Sequence, residues 1–151
     1  MNSTTTQSGM HVWLVLWKAY KAMEYLDKQS IASLGIGGIS DFAILEILLH
    51  KGPTPVSMIG KKVGLTSGSI TTAVDRAEKR GWVRRLSDPE DRRIVRIELT
   101  AEGREVIEPN LHQHAAALEC ATSVLDASER QTLVALLKKL GYHAQSLHQA
   151  S

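Results

Sequence analysis

The 151-residue sequence predicts a mainly α-helical fold carrying one small β-hairpin. Three observations point there. Apolar residues recur at spacings of three and four through most of the chain, the pattern of amphipathic helices. Only at 82–86 and 94–99 does that pattern give way to alternation, in two short stretches rich in β-branched or aromatic residues. The segment between them, Ser-Asp-Pro-Glu-Asp-Arg-Arg at 87–93, holds one proline and six polar residues, so it reads as an exposed turn joining two strands.

In chain order, 1–10 is rich in Ser, Thr and Gln and is expected to be a flexible start, with the rest, 11–151, forming a single domain. The first helix spans about 11–33. Val12, Leu16, Ala19, Met23 and Leu26 make one stripe along it, and Trp13, Trp17 and Tyr20 make a neighbouring one. Leu34-Gly-Ile-Gly-Gly38 is a break. Ser40 is the expected N-cap of a second helix, with Phe42, Leu45, Leu48 and Leu49 turned inward. Thr54, with Pro55 at the first helical position, is expected to start a short third helix that ends before Gly64. A fourth helix is capped by Thr66 or Ser67 and stops at Gly81. Thr100 caps a fifth, with Pro109 in its interior, and Asp126-Ala-Ser-Glu129 resembles a capping box opening a sixth. The sixth carries the stripe Leu133, Leu136, Leu137 and Leu140.

The totals narrow the class. Hydrophobic content of 43% suffices for a core, and the single cysteine, Cys120, excludes an intrachain disulfide and suits a reducing compartment. The apolar run Val12 to Trp17 is far shorter than the roughly 20 residues a membrane span needs, so a soluble, cytoplasmic protein is expected. Net charge is only +2, but it is unevenly placed. Residues 60–97 hold ten basic side chains against five acidic ones, and the remainder is net acidic. Such a basic centre suits contact with phosphate, although a solvated charged surface would look the same by this criterion alone.

Helix, tight turn and second helix with a hydroxyl-rich start make a helix-turn-helix, and the following hairpin makes a wing, over about 40–99. On the fourth helix Ile70, Ala73, Val74 and Ala77 fall on the side to be buried. Gly68, Thr72, Asp75 and Lys79 lie opposite, with Thr71 and Arg76 flanking them. Ser67, Ser69, Thr71 and Thr72 are small enough for a major groove and can bond phosphates or base edges. Arg76 is the candidate for a purine or phosphate contact further along. Arg92 and Arg93 sit at the hairpin tip, where no core needs them and where a guanidinium can enter a narrow minor groove, with Asp91 beside it to aim it. The bland alternatives are an ordinary surface helix and a solvated turn. A winged helix used only for protein–protein contact is the other reading, against which the basic centre argues. No nucleophile elbow, phosphate loop, paired metal motif or Cys–His pair is present, so neither an enzyme nor a cofactor is expected.

Residues 65–93, ending in Asp-Pro-Glu-Asp-Arg-Arg, and the run Leu99-Thr-Ala-Glu-Gly-Arg104 resemble the MarR (multiple antibiotic resistance regulator) family of winged-helix transcription factors. The resemblance spans about 11–148. Lys18-Ala-Tyr-Lys-Ala22, Asp41-Phe-Ala-Ile-Leu-Glu46, His50-Lys-Gly-Pro53 and Thr66-Ser-Gly-Ser-Ile-Thr71 look most like the members that respond to hydroquinones or catechols. It implies a homodimer joined by helices at about 11–33 and 101–148, binding double-stranded DNA as a repressor on a pseudo-palindromic operator. It also implies that Arg93 enters the minor groove and that Asp91 orients it. The apolar width of the first and last helices agrees with a dimer.

Members of the family often bind small aromatic compounds. Trp13, Trp17, Tyr20, Phe42 and His50 would line such an effector pocket, or would equally serve as core and dimer packing. His112 and His114 point about 200° apart on a helix and are poor metal partners, so no metal is expected. Cys120 is either an oxidation sensor or, in the blander reading, a buried inert thiol.

Overall fold

The computed structural model describes residues 8–149; of the flexible start expected at 1–10, residues 1–7 lie outside them, while Gly9 and Met10 already belong to the first helix. Six helices and three strands follow in the order α1 (Gly9–Ser33), α2 (Ile39–Lys51), β1 (Thr54–Pro55), α3 (Val56–Val63), α4 (Ser67–Lys79), β2 (Val83–Ser87), β3 (Val95–Leu99), α5 (Ala101–Thr122) and α6 (Ala127–Gln149). The chain divides into two units, the first ending at Leu118 and the second beginning at Glu119.

In the first unit the core is aliphatic. Ile44, Leu45 and Leu48 of α2, Ile59 of α3, Ile70 and Val74 of α4, Ile97 of β3 and Ile107 of α5 are fully buried. The expected inward residues Phe42, Leu45 and Leu48 are buried and Leu49 is half-buried. Gly60 lets α3 and α4 close on each other: a Cβ there would lie 3.3 Å from the Ile70 Cγ2 atom. A side chain at residue 60 would press on Ile70, so the close packing of the helix-turn-helix depends on that glycine.

Several expectations at element starts are corrected. α1 begins two residues early, because the Ser8 hydroxyl accepts the His11 N–H at 3.2 Å. α2 begins before Ser40: its N-cap is Gly38, whose N–H donates to the Asp41 carboxylate at 3.1 Å. Thr54 does not cap α3. Thr54 and Pro55 form an edge strand pairing antiparallel with Ile97 and Arg96, so the sheet has three strands in the order β1-β3-β2 rather than two. Proline lacks a ladder donor, and an edge strand is where that loss is tolerated. Within the wing the register pairs Val83 with Leu99 and Ser87 with Val95.

α1 departs from its expected stripe. Leu16, Met23 and Leu26 are half-buried, Val12 and Ala19 are exposed, and Ile31 is its one buried residue among those described. In the second unit Asp126 does open α6 as a capping box. Its carboxylate accepts the Ser128 and Glu129 N–H groups at 2.8 and 2.9 Å, and Glu129 reaches back to the Asp126 N–H at 2.9 Å. These bonds, the Glu129 N–H first, hold the Asp126 carboxyl below its ordinary value. Leu133, Leu136, Leu137 and Leu140 of α6 are exposed.

Candidate nucleic-acid interface

α4 is built as its pattern predicts. Ile70, Ala73, Val74 and Ala77 are its buried residues, and Thr66 is its N-cap, accepting the Ser69 N–H at 3.2 Å. Ser67, Gly68, Ser69, Thr71, Thr72, Asp75, Arg76 and Lys79 are exposed. The four hydroxyls on that face are not equivalent. Thr71 donates to the Ser67 carbonyl at 2.8 Å and Thr72 to the Gly68 carbonyl at 3.1 Å, each one turn back along the helix. Ser69 only accepts, from the Thr66 hydroxyl at 2.9 Å. Ser67 and Ser69 therefore keep O–H hydrogens for a phosphate or base edge near the helix N-terminus.

The basic residues sort the same way. Arg76 donates to Asp41 at 3.0 Å, tying α4 to α2, and the carboxylate it meets is buried. Its side chain stays 48% exposed, so it faces outward but is not the free purine-reading fork the sequence suggested. Arg80 donates to the Ile36 carbonyl at 2.8 Å and lies over the Trp82 ring. Arg84 pairs with Glu98 across the strands, and Arg85 bridges Asp75 and Glu78, anchoring the wing to α4. Among the described residues Lys61, Lys62, Lys79, Arg92 and Arg93 have no such partner and are exposed. The sequence showed Lys61 and Lys62 only as part of a charge total and Lys79 only as one residue of the outward helix face; what singles them out is the pairing of the arginines around them.

The wing is held by a residue that sequence reasoning passed over. Asp88, assigned to an exposed loop, is only 5% exposed. One carboxylate oxygen accepts the Glu90 and Asp91 N–H groups at 2.8 and 3.2 Å, and the other takes the Arg96 Nε–H. The Asp-Pro pair at 88–89 could have signalled this, since aspartate before a turn commonly caps its backbone. Asp91 closes the tip: its carboxylate accepts the Arg93 backbone N–H at 2.9 Å and its carbonyl accepts the Ile94 N–H at 2.9 Å. The bond runs to the Arg93 main chain instead of to its guanidinium, so Asp91 fixes the turn that carries the side chain.

The Arg96 guanidinium, followed by the Glu90 N–H, holds the Asp88 carboxyl below the ordinary 3.8. A depressed carboxyl stabilises the fold above its unfolded value, and that contribution is lost as pH falls through the folded value. Asp88→Asn should therefore be less stable than the parent at neutral pH, with the difference shrinking below the ordinary aspartate value of 3.8. Urea midpoints across that range check it, and a pH-independent gap would show that the charge is not what matters.

Ser67, Thr71 and Arg93 line one open depression of about 630 Å³, with Lys61 and Arg85 alongside. Helix face and wing tip thus meet across one groove. The five proposed effector residues do not come together in the same way. Trp13, Trp17 and Tyr20 are exposed on α1, whereas Phe42 is in the core, its ring edge-on to His114 at 5.0 Å. His50 lines a shallow depression between α2 and α3 that contains none of the other four. His114 is buried, with Nδ1 3.0 Å from the Ser30 hydroxyl and Nε2 3.2 Å from Asp27, a structural tie of α5 to α1. His112 is exposed. Cys120 is exposed, contrary to the buried thiol expected. Among the described residues no cluster of three or more His, Cys, Asp or Glu is placed to hold a metal, and no helix is long and apolar enough to cross a membrane.

A helix-turn-helix with an outward polar face and a wing bearing uncommitted guanidinium groups defines a winged-helix DNA-binding protein. The MarR family model matches residues 39–95. The HTH-type transcriptional regulator MhqR of Bacillus subtilis (strain 168) is 33% identical over 143 residues, covering 95% of this chain and 98% of its own. A probable transcriptional regulator from Pseudomonas aeruginosa has the same fold, with 28% identity, a TM-score of 0.68 and coverage of 85% and 96% of the two chains. The PcaV regulator of Streptomyces coelicolor, solved with its natural ligand, matches in fold at 21% identity and a TM-score of 0.66, over 95% and 99% of the two chains. The chain belongs to the MarR family and is a DNA-binding transcriptional regulator.

Proposed function

We propose that the chain works as a homodimeric repressor on a pseudo-palindromic operator, released by a small aromatic or electrophilic effector. The observation that carries the dimer is the uncovered apolar surface at both ends of the chain. Val12, Trp13, Leu14, Val15 and Trp17 of α1 are exposed, as are Leu133, Val134, Leu136, Leu137 and Leu140 of α6. A lone soluble chain rarely leaves such patches open, and a second copy of the same chain offers matching ones. Two copies place two α4 helices and two wings on DNA, with half-sites about one turn (10–10.5 bp) apart. Bound there, the dimer would occlude a promoter. Ser67, Ser69, Thr71, Thr72, Arg92 and Arg93 are the proposed contacts, with Asp91 shaping the wing tip and Arg76 contributing only if it shares its bond with Asp41.

Sedimentation should give twice the 16.6 kDa chain mass at micromolar concentration. Leu136→Glu should shift it toward monomer and weaken operator binding with it, because a carboxylate cannot be buried unpaired in the interface. A protein that stays monomeric while binding a symmetric operator tightly would refute the dimer. For the effector, Trp13, Trp17 and Tyr20 are the exposed aromatic residues best placed to meet an aromatic ring, with Phe42 in the core and His50 in a separate depression. Titration with a hydroquinone should release operator DNA, and Trp17→Ala should blunt that release.

The exposure of Cys120 favours one second reading, a thiol-based sensor. Cys120→Ser decides between them: a response that survives is non-covalent, and one that disappears belongs to the thiol.

A further inference from the structure

We propose that Thr71 and Thr72 read thymine through their methyl groups rather than by donating hydroxyl hydrogen bonds. The inference rests on the proposal above that α4 enters the major groove. A hydroxyl recognises a phosphate or a purine acceptor by donating its hydrogen. Both threonines already donate theirs inward, Thr71 to the Ser67 carbonyl at 2.8 Å and Thr72 to the Gly68 carbonyl at 3.1 Å. With Oγ1 held against the preceding turn, staggering about the Cα–Cβ bond turns Cγ2 away from that carbonyl. Both residues are exposed, so the apolar half of each side chain is available.

Gly68 completes the surface. It precedes Thr71 and Thr72 by three and four residues, on the same helix face, and a Cβ there would meet nothing within 4 Å. Gly68 itself carries no side chain to cover the two methyls, while Ser67 and Ser69 keep their donors one turn earlier. The face is thus divided into a donor-bearing first turn and a methyl-bearing second turn. In the major groove the group that complements a methyl is the C5-methyl of thymine, which no other base carries.

The test begins with an operator selected by the wild-type protein from a random duplex pool. Each thymine is then replaced singly by deoxyuridine, which removes the methyl and nothing else. Affinity should fall about fourfold per half-site at one or two thymines, the effect of one lost buried methyl. Thr71→Ser and Thr72→Ser, which keep the hydroxyl, should lose that thymine-to-deoxyuridine ratio. Thr71→Val and Thr72→Val, which keep the methyl, should preserve the ratio. An operator that tolerates deoxyuridine at every position overturns methyl readout while leaving the regulator intact. Failure to select any sequence would instead refute the sequence-specific binding on which the inference rests.

Discussion

Arg93→Ala should weaken operator binding by roughly 1–3 kcal/mol while leaving the fold and the assembly state unchanged. The side chain is exposed at the end of a two-stranded protrusion and has no partner among the described residues. Its removal therefore costs the free protein nothing in packing or pairing. Its main chain, by contrast, is fixed, because Asp91 accepts its N–H and Asp88 holds the turn behind it. With the main chain fixed, entering a narrow minor groove, where the negative potential is strongest, restricts only the side chain's own rotamers. Two further readouts separate a minor-groove contact from a general charge effect. The slope of log affinity against log salt should fall by about one, and A·T-rich flanks should lose their advantage. If affinity at matched salt is unchanged, the wing does not touch DNA and recognition rests on α4 alone.

What the sequence revealed and what it concealed divide along physical lines. The buried face of α4 was legible residue by residue, since a helix packed on one side has to place Ile70, Ala73, Val74 and Ala77 there. Caps made by a local side chain were legible too, at Thr66, Thr100 and Asp126. Long-range polar partners were not. Nothing in the local pattern of Arg76 foretells a carboxylate 35 residues upstream, and although the Asp-Pro pair hinted at a capped turn, the polar run at 87–93 did not show that Asp88 is buried against Arg96. β1 was hidden because two residues carry no periodicity, and Pro55 reads equally well as a helix start. Ring chemistry alone left Phe42 open to either role, effector pocket or core packing; in the structure it lies in the core, edge-on to His114. The candidate site follows the same division. Which residues face outward was readable from spacing, but which of them are free to bind depended on partners elsewhere in the chain.

The run Leu99-Thr100-Ala-Glu-Gly103 shows how a short motif encodes such a long-range constraint, and it carries the largest expected effect on stability. Thr100 sits at the junction of β3 and α5. Its N–H donates to the Trp82 carbonyl at 3.0 Å, its hydroxyl donates to the Gly81 carbonyl at 2.6 Å, and that same hydroxyl accepts the Gly103 N–H at 2.9 Å. These bonds draw the first turn of α5 down onto the chain entering β2, close enough that a Cβ at Gly103 would lie 2.0 Å from the Trp82 carbonyl oxygen. That atom is backbone, already bonded to Thr100, and the Leu99 Cδ1 atom at 2.8 Å blocks the other way out. Alanine would ordinarily help a helix by roughly 1 kcal/mol over glycine. Here the overlap has to be relieved by lifting α5 off the base of the wing, which breaks the Thr100 bonds. Gly103→Ala should therefore destabilise the first unit by about 2–4 kcal/mol despite its better helix propensity. Chemical denaturation measures this directly. Thr100→Ala removes the cap without the overlap and should cost about 1 kcal/mol. If Gly103→Ala proved neutral or stabilising, the close approach of α5 to Trp82 would not exist in solution, and the strand-to-helix junction would need a different explanation.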